Sequence, residues 1–214
     1  MERERAVDRL ESLVDRVESE PMPVPVREVW AFGDVALGLD PVDRLDVYLT
    51  KDVIMGGDAD AAAAFEAEYG VKGVGTTVDA EWAEAHPERV RTSDNGYAAP
   101  EKCLAAELVE DEEPIHLEVC NAGFEDNVRQ RLKGALARDA YEEVLDPRGV
   151  CLWVDGERDD EAFDRLREAS LAMPTLPAAL GMLGADEEAA TEAADVLKQQ
   201  RAEQEGASVR GDMV

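Results

Sequence analysis

Apolar positions change period several times along the chain, and each change marks an element. Between residues 2 and 19, Val7, Leu10, Val14 and Val17 recur at three- and four-residue steps among Arg and Glu, which predicts an amphipathic helix. Pro21, Pro23 and Pro25 end it and impose a stiff extended connection. Val26 to Phe32 reads as a first strand, followed by a glycine turn at Gly33 and a short helix to Gly38. That helix is too brief to stand without packing. A polar loop leads to a second strand, Leu45 to Leu49.

Beyond it, Asp58 starts a helix running to Tyr69 and stopped by Gly70. Val71 to Val78 is glycine-rich and extended, Asp79 caps a short helix containing Trp82, and residues 91–99 form a turn-rich loop. Pro100 opens a helix through Leu104 and Leu108. A third strand follows at Ile115 to Cys120, then a long helix from Glu125 to Leu145 and a fourth strand at Val150 to Val154. Three helices complete the pattern, begun by Asp159, by Thr175 with Pro177, and at residue 186; residues 206–214 are expected to fray. Strands alternating with helices predict an α/β (α+β) fold: a mixed sheet of about four to five strands, flanking helices and a helical C-terminal third. The implied division is an N-terminal helix at 1–21, an α/β core at 22–171, C-terminal helices at 172–205 and a flexible tail at 206–214.

Charge adds a constraint on partners. The 214 residues carry 50 acidic and 22 basic side chains, a net charge of -28, yet 45% of them are apolar. Periodic apolar faces argue against disorder despite that acidity. Self-repulsion on this scale is screened in strong salt, where the Debye length falls to about 3 Å at 1 M. The simplest expectation is a protein adapted to a salty cytosol. The same field disfavours nucleic acid and anionic membranes as partners. No apolar run reaches membrane-spanning length, so an intracellular, cytoplasmic location is expected. Cys103, Cys120 and Cys151 are odd in number and lack metal-ligand spacing, which suits free thiols in a reducing compartment.

Candidate chemistry gathers between residues 27 and 49. A strand that stops at a glycine and feeds a helix turns backbone N–H groups toward one point, a geometry that binds anions. The segments Arg27-Glu-Val-Trp-Ala-Phe-Gly-Asp-Val-Ala-Leu-Gly38 and Asp43-Arg-Leu-Asp-Val-Tyr-Leu49 resemble the signature of the minimal nucleotidyltransferases of the DNA polymerase β superfamily. There, a strand ends in Phe-Gly-Ser, and an Asp-x-Asp strand follows. The resemblance covers roughly residues 25 to 120 and implies that fold. It makes Gly33, Asp34, Gly38 and Arg44 phosphate-binding positions. It makes Asp46 and Glu118 catalytic carboxylates that hold Mg²⁺, with Asp43 or Asp34 completing the set. The whole chain also resembles an uncharacterised family of haloarchaeal proteins, which implies a source and no activity.

Two departures bear on the chemistry. The family's Ser is Asp34 here, an anion where phosphates should be cradled. The first Asp of Asp-x-Asp is Arg44. Residues 44 and 46 share a strand face and lie about 6–7 Å apart, so the guanidinium competes with any metal for Asp46. Two-metal chemistry needs carboxylates holding ions roughly 4 Å apart. The expectation is therefore a degenerate nucleotidyltransferase-like scaffold that binds a small anion or nucleotide, or a protein partner. The alternative is an active Mg²⁺-dependent nucleotidyltransferase that uses a nucleoside triphosphate. His116 sits on the same strand face as Glu118 and reads more simply as a strand-face histidine than as a base.

Overall fold

A computed structural model describes residues 1–18, 25–52, 59, 60, 63, 90, 91, 100–110, 113–204 and 206–212. Helix α1 (Arg3–Glu18) turns Ala6, Val7, Leu10, Leu13, Val14 and Val17 inward, as its periodicity requires. Strands β1 (Val26–Phe32) and β2 (Leu45–Lys51) pair antiparallel. The short strand β3 (Val90–Arg91) and helix α2 (Pro100–Leu108) precede β4 (Ile115–Cys120). Then come α3 (Phe124–Arg138), β5 (Gly149–Val154), β6 (Glu157–Arg158), α4 (Asp160–Glu168), α5 (Leu176–Met182), α6 (Glu187–Glu203) and β7 (Ser208–Gly211). The sequence-predicted helix at 58–69, the extended stretch at 71–78, the Trp82 helix and the loop at 91–99 lie largely or wholly outside the described residues; Arg91, at the start of that loop, belongs to β3.

The fold is a mixed α/β structure, with a seven-stranded sheet in the order β3-β7-β4-β2-β1-β5-β6. Strands β2, β4, β7 and β3 run parallel, whereas β1 is antiparallel to both β2 and β5. Alternation gives the sheet two unlike faces. Val47, Leu49, Leu117, Val119 and Val209 point to one side and join α1, α2 and α4 in a continuous apolar core. The other side carries Trp30, Phe32, Tyr48 and Cys120 beneath α3, with Asp46, His116, Glu118, Ser208 and Arg210 beside them in register. A second apolar cluster joins α3 to α5 and α6 through Leu132, Ala135, Leu180 and Ala193.

Local chemistry sets the helix ends. Asp159, Thr175 and Asp186 accept hydrogen bonds from Ala162, Ala178 and Ala189 and so cap α4, α5 and α6. Glu28 reaches across from β1 to accept the Phe124 N–H at 3.1 Å at the start of α3. No helix among the described residues is long and apolar enough to cross a membrane.

Four expectations are corrected. The long helix ends at Arg138 rather than running to Leu145, because Asp139 adopts φ +50° in the left-handed region and a 3₁₀ turn at Tyr141–Glu143 follows. Residues 33–38 make one helical turn, from the Leu37 N–H to the Gly33 carbonyl, and no helix. Val35 and Ala36 are buried, so packing and not propensity holds this turn. Beyond the expected strands the sheet gains β3, β6 and β7, of two, two and four residues, too short to carry a period. The expected frayed end is the largest difference, since residues 208–211 insert as β7 between β3 and β4.

A buried ion pair locks that end in place. Lys51 Nζ lies 2.9 Å from Glu101 Oε2 and 3.3 Å from Asp212 Oδ2, so β2, α2 and the chain end share one ammonium. Removing one partner of such a pair strands the other charge in a dry site and costs about 3–5 kcal/mol. Lys51→Met is expected to lose stability of about that size. Chemical denaturation at fixed salt measures it; a loss within experimental error would contradict the pairing.

A candidate anion-binding cavity

Asp46 and Glu118 stand on neighbouring parallel strands, with Asp46 opposite His116 and Tyr48 opposite Glu118. Both carboxylates are withdrawn from solvent, at 0% and 2% exposure. A charge so buried must be compensated or neutralised. Each carboxylate has its own set of cations.

Asp46 has two. Arg44 Nη2 is 2.5 Å from Asp46 Oδ1, and Arg201 Nη2, from α6, is 3.0 Å from Asp46 Oδ2. These are ion pairs by distance, yet neither Asp46 oxygen is met along an aligned hydrogen bond. Burial accordingly outweighs Arg44, Arg201 and His116 and holds the Asp46 carboxyl above the usual carboxylate range. Gly33 is needed directly beside it: its φ is +68°, and a Cβ there would overlap Asp46 Oδ2.

Glu118 has aligned donors. Arg131 Nη2 donates to Glu118 Oε2 at 2.8 Å, His116 Nε2 lies 3.0 Å from Oε1, and Arg210 Nη1 lies 3.7 Å from Oε1. Burial opposes the charged form here too. Arg131, His116 and Arg210 overcome it and hold Glu118 well below the usual carboxylate range. His116 also meets Ser208 Oγ, at 2.6 Å from its Nδ1.

The Asp34 side chain organises the loop that leads into β2. Its Oδ2 accepts the backbone N–H groups of Asp43 and Arg44 at 3.1 and 3.3 Å, and its Oδ1 accepts Arg201 Nη2 at 2.7 Å. The carboxylate that looked hostile to phosphate in the sequence is thus a strut between two loops and α6. Gly38, in contrast, has neighbours outside this group. It packs against Ala169, and its carbonyl accepts Arg3 Nη1 at 3.2 Å.

These groups open onto a cavity of about 870 Å³ between the half-polar sheet face and α6. Five cations line it, Arg44, Arg148, Lys198, Arg201 and Arg210, alongside the carboxylates of Asp34, Asp43, Glu118, Asp146 and Glu203. Arg148 is held by a two-pronged contact to Asp146, at 2.9 and 2.7 Å. Lys198 makes no ion pair among the described residues. Of the sequence-predicted positions, Gly33, Asp34, Asp43, Arg44, Asp46 and Glu118 come together around this cavity. The cations from Arg131 onward were not anticipated. Arg210 and Ser208 were legible only as the outward positions of an alternation in Ala207-Ser-Val-Arg-Gly211.

The donor set does not suit the Mg²⁺ that the polymerase resemblance implies. Asp46 is ion-paired with Arg44 and Arg201, Glu118 is ion-paired with Arg131 and hydrogen-bonded to His116, and among the described residues no three His, Cys, Asp or Glu side chains gather as a metal would require. Cys120 and Cys151 are free thiols, pushed up to about 12 and about 11 by burial, so neither is poised as a nucleophile or ligand.

Fold and site together define a mixed α/β protein with an internally ion-paired cavity of mixed charge. The chain belongs to a family of unknown function, DUF7095, whose model matches residues 2–214. Comparison with curated proteins and with solved structures returned no match.

The two carboxylates have opposite acid responses. The Glu118 contribution to stability is complete above the unfolded carboxyl value, about 4.3, and is lost as pH falls from there toward the depressed folded value. Asp46, raised in the folded state, works the other way and is relieved as pH falls through its folded value. Glu118→Gln is expected to be less stable than the parent by about 3–5 kcal/mol at pH 7, because Arg131 loses its partner. That deficit should shrink between about pH 4 and pH 2. Unfolding curves of both proteins across that window check it; a deficit that does not change with pH would contradict the assignment.

Proposed function

We infer that this protein is a binding scaffold that takes a small anionic ligand, of the class of a nucleotide or another phosphate-bearing molecule, in the cavity between sheet and α6. The observation that carries this reading is the distribution of positive charge. A chain with 50 acidic and only 22 basic side chains places five of those cations around one cavity, where they match the five carboxylates lining it instead of being outnumbered. The volume falls within the range of about 300–1,000 Å³ that suits a small-molecule site. Arginine and lysine there offer the planar forks and point charges that recognise phosphate.

A nucleotidyltransferase-like sheet whose metal site has been filled by cations accounts for the same residues. The first carboxylate of the polymerase-type pair is replaced by Arg44, which supplies from the chain the charge that an ion would bring. Such a scaffold keeps the attraction for phosphate and loses the two-metal chemistry. Nucleotidyl transfer is the less supported reading, because Asp46 and Glu118 are already spent on arginines. The net charge of -28 supports work in a salty cytosol, where the repulsion is screened.

Titration of the full chain with ATP, GTP and pyrophosphate in molar salt, with and without Mg²⁺, tests this by melting temperature. A ligand at a hundred times its dissociation constant adds about 2.7 kcal/mol of stability. The expected result is a shift that needs no Mg²⁺ and is weakened about tenfold in affinity by Lys198→Ala, the loss of one charge-assisted contact. A silent titration would overturn the anion reading, and a stable larger species on sizing would then favour a protein partner. A shift that requires Mg²⁺ and vanishes in Asp46→Asn would favour nucleotidyl transfer.

A further inference from the structure

We propose that Ser208, His116 and Glu118 form a nucleophilic relay in this cavity, with Ser208 Oγ as nucleophile, His116 as general base and Glu118 as its positioning residue. The reaction class is hydrolysis of a carboxylic ester that bears a second, anionic group. That last feature rests on the anion-binding reading; the relay does not.

The geometry comes from two parallel strands. His116 on β4 lies opposite Ser208 on β7, and Glu118 follows His116 by two residues on the same face. The distances form an unbroken line: Ser208 Oγ to His116 Nδ1 is 2.6 Å, and His116 Nε2 to Glu118 Oε1 is 3.0 Å. All three side chains line the cavity. Glu118 is held ionised, so it can only accept, and its other oxygen is occupied by Arg131. In the neutral imidazole that the relay uses, Nε2 carries the proton donated to Glu118, and Nδ1 presents a lone pair to the Ser208 hydroxyl, which donates to it. A serine, a base within hydrogen-bond reach and a third group that orients the base make the arrangement that activates a hydroxyl. The two ring nitrogens are exchanged relative to the usual order, and that exchange leaves the base function intact.

The backbone pairing of β4 with β7 already spans His116–Ser208 to Val119–Gly211, so the strand does not need a side-chain link to stay in register. In the reaction, Ser208 Oγ bonds to the ester carbonyl carbon while its proton passes to His116 Nδ1. The carbon–oxygen bond to the alcohol then breaks, and the departing oxygen takes that proton. Water repeats the sequence on the acyl-serine, giving its proton to Nδ1 and releasing the acid as Ser208 regains its hydrogen. The net change is ester plus water to acid plus alcohol. The guanidinium groups of Arg44 and Arg201 line the same cavity, where they would attract an anionic substrate.

A fluorophosphonate probe tests the relay on the full chain, with intact-mass and peptide mapping. Attack by Ser208 Oγ on phosphorus expels fluoride and leaves a stable adduct. The expected result is one adduct per chain at Ser208, absent in Ser208→Ala and slowed by about 10²–10⁴-fold in His116→Gln. Glu118→Asp keeps the charge but withdraws it from the imidazole; the maximal labelling rate should fall while the probe concentration for half-maximal rate holds. Mapping on the parent protein decides the matter even if a variant misfolds. No adduct, or an adduct only at another residue, overturns the relay. Inorganic phosphate present during labelling separates the two readings. An adduct at Ser208 that phosphate slows supports both, and one that phosphate leaves unchanged upholds the relay and overturns the anionic substrate. A phosphate-dependent melting shift without any adduct overturns the relay alone.

Discussion

Two carboxylates buried side by side on one sheet face are the constraint from which the rest of this structure follows. An ionised group taken out of water without compensation is costly enough that proteins neutralise it or pair it. Asp46 and Glu118 are paired with cations drawn from elements far apart in the chain: Arg44 before β2, Arg131 in α3, Arg201 at the end of α6 and Arg210 in β7. The pairing is therefore also a topological tie. It draws the C-terminal third onto the sheet and makes the last strand part of the cavity wall.

The two carboxylates are not equivalent. Aligned bonds from Arg131 and His116 hold Glu118 charged, whereas Asp46 has close but unaligned guanidinium contacts and resists ionisation. One group is a fixed anion that can orient an imidazole. The other is the less settled charge, buried behind the cavity wall and pressed between Gly33 and two arginines. Unlike environments for two neighbouring carboxyls commonly accompany division of labour at a site. Around them the sheet face changes from apolar aromatics under α3 to charge under α6, which leaves a cavity instead of a packed core. Trp30 stacks on Phe124 with ring centroids 4.7 Å apart, and Tyr48 donates to the Ala122 carbonyl at 2.6 Å, sealing the dry flank.

Much of this was legible in the sequence where period and sign are local properties. Strands β1, β2 and β4 announce themselves by apolar runs ended by glycine or polar turns. Arg44 and Asp46 two residues apart on a strand had to meet, and they do. What escaped was non-local. Asp34 carries no mark that it will brace the backbone of Asp43 and Arg44. Arg201 reads as one more charge on a polar helix until α6 is laid across the sheet. Strand β7, four residues long in a segment with terminal composition, is too short to outweigh the prior for a loose end. The helix break at Asp139 depends on a left-handed residue that is aspartate rather than glycine, a choice that local rules permit without demanding.

Whether arginines or a metal neutralise the buried carboxylates is the question on which all of this turns. Carbon-detected NMR of the Asp46 and Glu118 carboxyl resonances during Mn²⁺ titration in molar salt addresses it directly, since a bound paramagnetic ion broadens its ligands beyond detection. The expected result is that both signals keep their intensity while exposed carboxylates weaken. Joint loss of the Asp46 and Glu118 signals at one equivalent of Mn²⁺ would contradict the account.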